Sequence, residues 1–321
     1  KTHFLQKEQT SVSKFWEKTP GKLSSKNMEK IKEAIKILNQ GGIIIFPTDT
    51  AFGIGCRMDK ITAVKKLFKI RRRPLDKAVP VLVDSIKMAR SFLLSPLPDN
   101  VRQLMESYWP GALTVIYSCK KQLVDPLVRG GGDNLGVRMP KHRITLKLIS
   151  EVGMPLLGPS ANFHGAKTPF RLQDLDPQLI TLVDYVVPGN CKHHKASTVI
   201  DCSVSPFVIK RQGDIFPKLI SLLIDTRDRY KAKVTIIKAG KKYNFEEGQA
   251  ENNSQSLLQL IDKALKKCDL KLNDLNFIKV ETTGGSFTGV RIGVAVANCL
   301  GWIYNIPVNS KKSKIIIPDY A

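Results

Sequence analysis

Gly41-Gly42-Ile43-Ile44-Ile45-Phe46-Pro47-Thr48-Asp49-Thr50-Ala51-Phe52-Gly53-Ile54-Gly55-Cys56 is the stretch whose reading decides the fold. The apolar run 43–46 predicts a buried strand that stops at Pro47 and releases Thr48, Asp49 and Thr50 into a turn ending in Gly53 and Gly55. A strand that opens into hydroxyls and glycines at its carboxyl end is where open α/β sheets hold ligands. Upstream, Ile31, Ala34, Ile35 and Leu38 recur at helical spacing, and Gly41-Gly42 ends that helix. Downstream, the pattern predicts a helix near 62–70, a strand at 79–83, helices near 85–92 and 100–108, and a strand at 113–117. A glycine-rich loop at 130–132, a strand at 135–137, a helix near 142–151 and strands at 185–187, 198–201 and 207–210 complete the segment. This mixture predicts an α/β twisted sheet.

The chain has 321 residues, long for one core, and its hydrophobic content of 42% is ample for packing. We divide it into a basic polar extension at 1–27, a first domain at 28–217 and a second at 218–321. No apolar run reaches the roughly 18 residues of a membrane span. The first residues, with Lys1, Lys7, Lys14 and Lys18, lack a signal-peptide core, so a cytoplasmic location without membrane contact is expected. Six cysteines, at 56, 119, 191, 202, 268 and 299, include no Cys-x-x-Cys pair, which fits a reduced compartment. Cys191, His193, His194 and Cys202 cluster, but their spacing fits no standard zinc finger and a polar loop accounts for them. The net charge of +23 favours nucleotides, tRNA or an acidic partner, although lysines spread over a solvated surface would give the same value. Only Arg71-Arg72-Arg73 is a dense basic cluster.

Past residue 215 the pattern restarts. A strand at 222–226 ends in Asp225 and Thr226, and a hairpin partner is expected at 234–239. A helix at 254–267 puts Leu257, Leu258, Ile261, Ala264 and Leu265 on one face. A strand at 277–280 leads through Gly284-Gly285-Ser286 into a second helix ending near 304, and a last strand begins at 306–308. On that second helix Gly289, Gly293, Ala297 and Gly301 form a stripe of small residues. The stripe fits either close packing on the domain's own sheet or a flat face for a partner helix.

Downstream of the opening stretch come Arg71-Arg72-Arg73-Pro74, Trp109-Pro110-Gly111-Ala112-Leu113-Thr114, Ser160-Ala161-Asn162 and Ser197-Thr198-Val199. In this order the motifs resemble the YrdC family, whose members make threonylcarbamoyl-AMP and pyrophosphate from threonine, bicarbonate and ATP. The resemblance implies a YrdC-like twisted mixed sheet with helices over residues 28–217. It also implies ATP as a substrate with Mg2+ as its companion ion, bicarbonate as the second substrate and threonine as the third. No covalent nucleophile or acid/base residue is assigned, since adenylation needs positioning and charge neutralisation above all. The family has Lys-x-Arg-Pro where this chain has Arg71, Arg72, Arg73 and Pro74, so a planar fork replaces a point charge at Arg71. By resemblance, Arg71, Arg73, Lys77, Ser160, Asn162, Thr168 and Arg211 bind ATP. The arginines also fit a solvated helix end, and Ser160 and Asn162 an ordinary cap or Asx turn. Thr50, Thr114 and Ser197, hydroxyls at strand ends, are assigned to threonine. Arg138 either grips the threonine carboxylate or makes an internal ion pair. Leu82 stands where many relatives have histidine.

The second segment resembles the amino-terminal lobe of the TsaB family, with Gly284-Gly285-Ser286-Phe287-Thr288-Gly289-Val290-Arg291-Ile292-Gly293 in place of that family's Gly-Pro-Gly-Ser-Phe-Thr-Gly-Leu-Arg-Ile-Gly. The implied fold is a single actin-like (ASKHA-type) α/β lobe without its usual second half. TsaB-like proteins are non-catalytic partners of TsaD, the transferase that moves the threonylcarbamoyl group to tRNA in the t6A37 modification. The implied partner is a TsaD-like protein or a second copy of the chain, met through Gly289, Gly293, Ala297 and Gly301. The competing function is a non-catalytic module whose basic concavity grips RNA, with weak tRNA contact a possibility under either reading.

Overall fold

A computed structural model describes residues 25–193, 195–204, 207–217, 219–238, 241–248, 254–304, 306–309 and 315–319. Most of the extension at 1–27, together with His194, lies outside the described residues. The chain divides into two compact units, one running to Ser203 with Ile209–Ile215, the other comprising Val204–Val208 and the residues from Phe216.

In the first unit, helix α1 (Ser25–Asn39) buries Ile31, Ala34 and Leu38. Its end is a turn in which Gly41 takes φ +84°, a conformation that favours glycine. Strand β1 (Ile44–Phe46) follows, wholly buried. It pairs antiparallel with β2 (Gly53–Gly55) and parallel with β7 (Tyr185–Val186), forming a three-stranded sheet ordered β2-β1-β7. The glycines at 53–55, expected in a turn, are therefore a strand. The reason lies in packing, because a Cβ on Gly55 would sit 1.8 Å from the Leu157 carbonyl oxygen.

Helix α2 (Ile61–Ile70) leads to β3 (Val81–Leu82), and α3 (Ile86–Phe92) begins where the Ser85 hydroxyl accepts from the Met88 amide at 3.1 Å. Helix α4 (Asp99–Tyr108), β4 (Leu113–Ser118), β5 (Asn134–Arg138), α5 (Arg143–Val152) and β6 (Leu156–Leu157) follow. Beyond them lie the short α6 (Pro177–Thr181), capped by Asp176 and invisible to periodicity, then β8 (Thr198–Asp201) and β9 (Val208–Arg211). These strands make a six-stranded mixed sheet ordered β6-β3-β5-β4-β8-β9. Helices α1 and α5 share a core of Ile31, Ala34, Leu38, Leu148, Ile149 and Val152.

The second unit is a four-stranded sheet ordered β12-β11-β10-β13. Its strands are β10 (Ile220–Asp225), β11 (Lys231–Lys238), β12 (Lys241–Gly248) and β13 (Phe277–Val280). Strand β10 runs parallel to β13 and antiparallel to β11. Helices α7 (Ser254–Lys267) and α8 (Phe287–Ile303) close one core with Leu222, Ile224, Val234 and Ile236. Strand β12 escaped the sequence reading because its apolar alternation is confined to Tyr243 and Phe245, flanked by charged residues. At 306–308 there is no further strand, only one parallel bridge between Val308 and Ile278.

The small-residue stripe requires a correction. Gly289, Gly293, Ala297 and Gly301 are all buried. A Cβ on Gly289 would lie 2.0 Å from the Thr226 carbonyl oxygen, one on Gly293 2.3 Å from Thr226 Oγ1, and one on Gly301 2.4 Å from Val308 Cγ2. The stripe thus lets α8 approach the unit's own sheet and strands' ends, and it leaves no surface for a partner. What α8 exposes is its other side, with Phe287, Trp302 and Ile303.

Candidate active site

A cavity of about 470 Å3 opens within the first unit. One wall is the turn after β1. Thr48 Oγ1 donates to the Ala51 carbonyl at 2.7 Å and accepts from the amides of Thr50 and Ala51, which fixes the turn and aims Thr50 inward. Arg138, at the end of β5, holds that turn. Its Nη1 donates to Thr50 Oγ1 at 2.7 Å, its Nη2 to Asp49 Oδ1 at 2.5 Å, and its Nε to the Gly111 carbonyl at 3.0 Å. Of the two readings of Arg138, the internal ion pair is the one the structure builds. A bidentate grip on a ligand carboxylate would require the guanidinium to leave Asp49, whose side chain is 2% exposed.

The second wall joins β4 to β8. Thr114 Oγ1 and Ser197 Oγ lie 2.9 Å apart, and either can donate. Arg211 on β9 donates Nη2 to Ser197 Oγ and Nε to the Ser197 carbonyl, both at 3.1 Å. Burial, with Arg138 nearby, lowers the pKa of Arg211.

The third wall is cationic. Arg71 caps α2 and is 4% exposed. Its Nε donates to the Asn162 carbonyl at 3.0 Å and its Nη2 to Asn162 Oδ1 at 3.3 Å, while its buried Nη1 has no hydrogen-bond partner among the described residues. Burial, and then the charge of Arg73, pull the Arg71 pKa down to about 10. Among the described residues no carboxylate pairs with it, so the site favours an incoming anion. Arg72 takes φ +52° and lays its guanidinium 4.5 Å from the Phe163 ring centroid, which turns it away from its neighbours. Arg73 donates to the carbonyls of Lys77 and Ala78 and also lines the cavity.

The structure therefore brings Thr50, Arg71, Arg73, Thr114, Arg138, Ser160, Thr168, Ser197 and Arg211 onto one cavity surface, with Leu82 among them. It does not bring Lys77, whose side chain is exposed and pairs with Asp76 at 3.5 Å, since the loop turns its carbonyl inward to Arg73. Nor does Asn162 line the cavity. It braces the wall instead, accepting from Ser160 Oγ at 2.6 Å as well as from Arg71. Residues that the sequence reading passed over also line it, among them Arg129, Asn134, Phe52 and Pro80. Asp49 was placed in the turn without a role, although an acid between two threonines after a strand is a visible signal for a buried ion pair.

Among the described residues, no group of three or more His, Cys, Asp or Glu is placed to hold a metal. In the cysteine and histidine cluster, His193 Nδ1 pairs with Asp214 at 3.0 Å, and burial pushes the Cys191 thiol up to about 11. No helix among the described residues is long and apolar enough to cross a membrane.

A twisted mixed sheet with helices, enclosing an arginine- and hydroxyl-lined cavity at strand ends, defines an α/β protein with a cationic candidate site. The profile of the Sua5–YciO–YrdC family, described as telomere recombination, matches residues 36–213, and the chain belongs to that family. It is 34% identical over 204 residues to a threonylcarbamoyl-AMP synthase of Bacillus subtilis, covering 62% of this chain and 58% of that protein. It is 31% identical over 187 residues to the synthase of Pyrococcus abyssi, covering 58% of this chain and 54% of that one. The chain thus spans a little over half the length of those relatives. Against the synthase of Marinobacter nauticus it is 31% identical over 56% of this chain and 94% of the other. In structure it is similar to P. abyssi Sua5 complexed with L-threonine, with a TM-score of 0.57 and 18% identity over 90% of this chain and 89% of that one. It is likewise similar to E. coli YciO, at a TM-score of 0.53 and 25% identity over 59% and 92%. A second family profile, for tRNA N6-adenosine threonylcarbamoyltransferase (TsaD), matches residues 247–310.

Proposed function

We propose that the first unit is an L-threonylcarbamoyladenylate synthase acting in the cytoplasm on behalf of tRNA t6A37 formation. The observation that carries this reading is the Arg71 guanidinium, buried and, among the described residues, without a counter-ion and with Nη1 unpartnered, on a cavity wall shared with the hydroxyls of Thr50, Thr114, Ser160 and Ser197. Threonine captures bicarbonate or CO2 on its amine as a carbamate. A carbamate oxygen attacks the α-phosphorus of ATP, the P–O bond to the β-phosphate breaks, and pyrophosphate leaves. Arg71, Arg73 and Arg211 receive phosphate oxygens, with Ser160 and Thr168 beside them. The charges of these arginines stabilise the negative charge that builds on the leaving pyrophosphate. Thr50, Thr114 and Ser197 orient threonine, and Asp49 and Arg138 hold Thr50 in place. The donor set does not suit a protein-held Mg2+, because the cavity is lined by cations and hydroxyls and its lining Asp133 already pairs with Lys121 at 2.6 Å. Mg2+ would enter on the phosphates of ATP. The test is incubation with ATP, labelled bicarbonate and threonine. Threonylcarbamoyl-AMP and pyrophosphate should form only when all three are present, and pyrophosphate release that ignores threonine would sink the reading. If the chain is instead an RNA-gripping module, RNA binding will fall steeply with salt and be indifferent to threonine.

For the second unit we propose a single actin-like lobe that docks a TsaD-type transferase. The signature at 284–293 supports this, as does the exposed side of α8, where Trp302 is 86% exposed. Trp302→Ala should weaken capture of such a transferase and leave synthesis intact.

A further inference from the structure

Strand β12 lies at the edge of its sheet, pairs with β11 along its full length from Lys231↔Gly248 to Lys238↔Lys241, and has no strand among the described residues on its other side. Seven of its eight residues are exposed and one is half-buried. An open edge of this length is a template for a further strand, and proteins ordinarily blunt such edges with charge. This edge is charged in a particular order. Its sequence, Lys241-Lys242-Tyr243-Asn244-Phe245-Glu246-Glu247, is complementary to itself when read backwards.

We propose that β12 pairs antiparallel with β12 of a second copy of this chain, about a two-fold axis through Asn244. In that register Lys241 of each copy stands opposite Glu247 of the other, Lys242 opposite Glu246, and Tyr243 opposite Phe245. Cross-strand partners share a face of the sheet, so the register of β12 on β11 decides which pairs lie together. Glu247, Phe245 and Tyr243 stand opposite Ala232, Val234 and Ile236, the buried side of β11, and Phe245 packs against that core. The aromatic pairs and the Lys241–Glu247 pairs therefore fall on the helix-covered face. The Lys242–Glu246 pairs and the two Asn244 side chains fall on the opposite face, where Asn244 Oδ1 already accepts from Thr235 Oγ1 at 2.8 Å.

The self-pairing is isologous and closes on itself, extending two four-stranded sheets into one of eight. The charge order also selects the register. A slip of one residue turns every side chain to the wrong face, and a slip of two sets Lys241 opposite Phe245 or Tyr243 opposite Glu247. Within one copy, Glu246 and Glu247 are pulled by Lys233 and Lys263 at 3.3 and 3.5 Å, exposed pairs that leave both carboxylates free to accept again. The net charge of +23 opposes association at long range, but that repulsion is screened beyond about 8 Å at physiological salt, where contact pairs persist.

The experiment is sedimentation velocity on the full chain. Wild type should show a monomer–dimer equilibrium. The double variants Lys241→Glu/Lys242→Glu and Glu246→Lys/Glu247→Lys each set like charges against each other, and each alone should weaken the dimer at least about tenfold. An equal mixture of the two restores every opposite-charge pair and should dimerise as wild type does, which also shows that both variants are folded. Wild type that stays monomeric at high micromolar concentration, variants that dimerise as well as wild type, or a mixture that does not recover would each overturn the pairing.

Discussion

The two units solve opposite packing problems around an acid followed by threonine, in the turn after β1 in the first and at the end of β10 in the second. In the first, Thr50 faces a cavity, and buried charge is left partly open, with Arg71 Nη1 and Asp49 Oδ2 lacking partners among the described residues. In the second, Asp225 is answered by its neighbour Arg227 at 2.7 Å, and Thr226 is pressed against Gly289 and Gly293 of α8. The first region gathers arginines around its cavity; in the second, glycines of α8 close over Thr226, while Asp225 borders a pocket of mixed charge with Arg227, Lys231 and Glu246. The difference teaches that a motif of hydroxyl and acid near a strand end fixes a backbone turn and does not by itself make a cavity. Whether a cavity forms depends on what the facing element brings, arginines in the first unit and glycines in the second.

The sharpest way to break this comparison is to remove the charge that orders the first unit. Asp49→Ala leaves Arg138 buried without its carboxylate, a change that typically costs about 3–5 kcal/mol. Thermal melting should show a first unit greatly destabilised, and an unchanged melt would mean that Arg138 is not held by Asp49. Arg71→Ala is next. It removes a charge-assisted contact worth roughly 1.5–3 kcal/mol, so kcat/KM for threonylcarbamoyl-AMP formation should drop about ten- to hundredfold while the fold persists. Equal kinetics would place the phosphates elsewhere. In the second unit, Gly289→Ala should cost about 1–3 kcal/mol by overpacking against the Thr226 carbonyl, visible as an earlier melt of that unit with synthesis unaffected. Ala297→Leu should do the same, and a partner-binding loss without destabilisation would reinstate the stripe as an external face. The smallest effect concerns ATP itself. Bound at ten times its Kd, it should stabilise the first unit by about 1.4 kcal/mol, and this gain should vanish in Arg71→Ala but survive in Gly289→Ala.

Much of the first unit was legible because its motifs join residue type to place. Hydroxyls, arginines and prolines at strand ends marked the cavity walls, and the structure sets most of them around one space. Two assigned residues lie off the cavity surface for a shared reason. Lys77 and Asn162 sit inside turns, where one residue's carbonyl or amide is used inward while another's side chain is used outward, and sequence spacing does not say which. The second unit was less legible. A four-residue spacing of Gly289, Gly293, Ala297 and Gly301 specifies close approach but carries no sign, so it could not tell the unit's own sheet from a stranger's helix. Strand β12 was hidden because only Tyr243 and Phe245 alternate within it, between pairs of lysines and glutamates.

The Thr114–Ser197 contact has one more consequence. Ser197 Oγ already accepts from Arg211, and the two hydroxyls share a single hydrogen between them at 2.9 Å. The other hydrogen is left over, and it belongs to whichever residue is not donating. Rotating both hydroxyls together exchanges the roles, so this wall presents a donor at Thr114 in one state and at Ser197 in the other, at no cost in bonds. A surface with such interchangeable polarity accommodates a ligand group that begins as a hydrogen-bond donor and ends as an acceptor. An amine that becomes a carbamate undergoes that change.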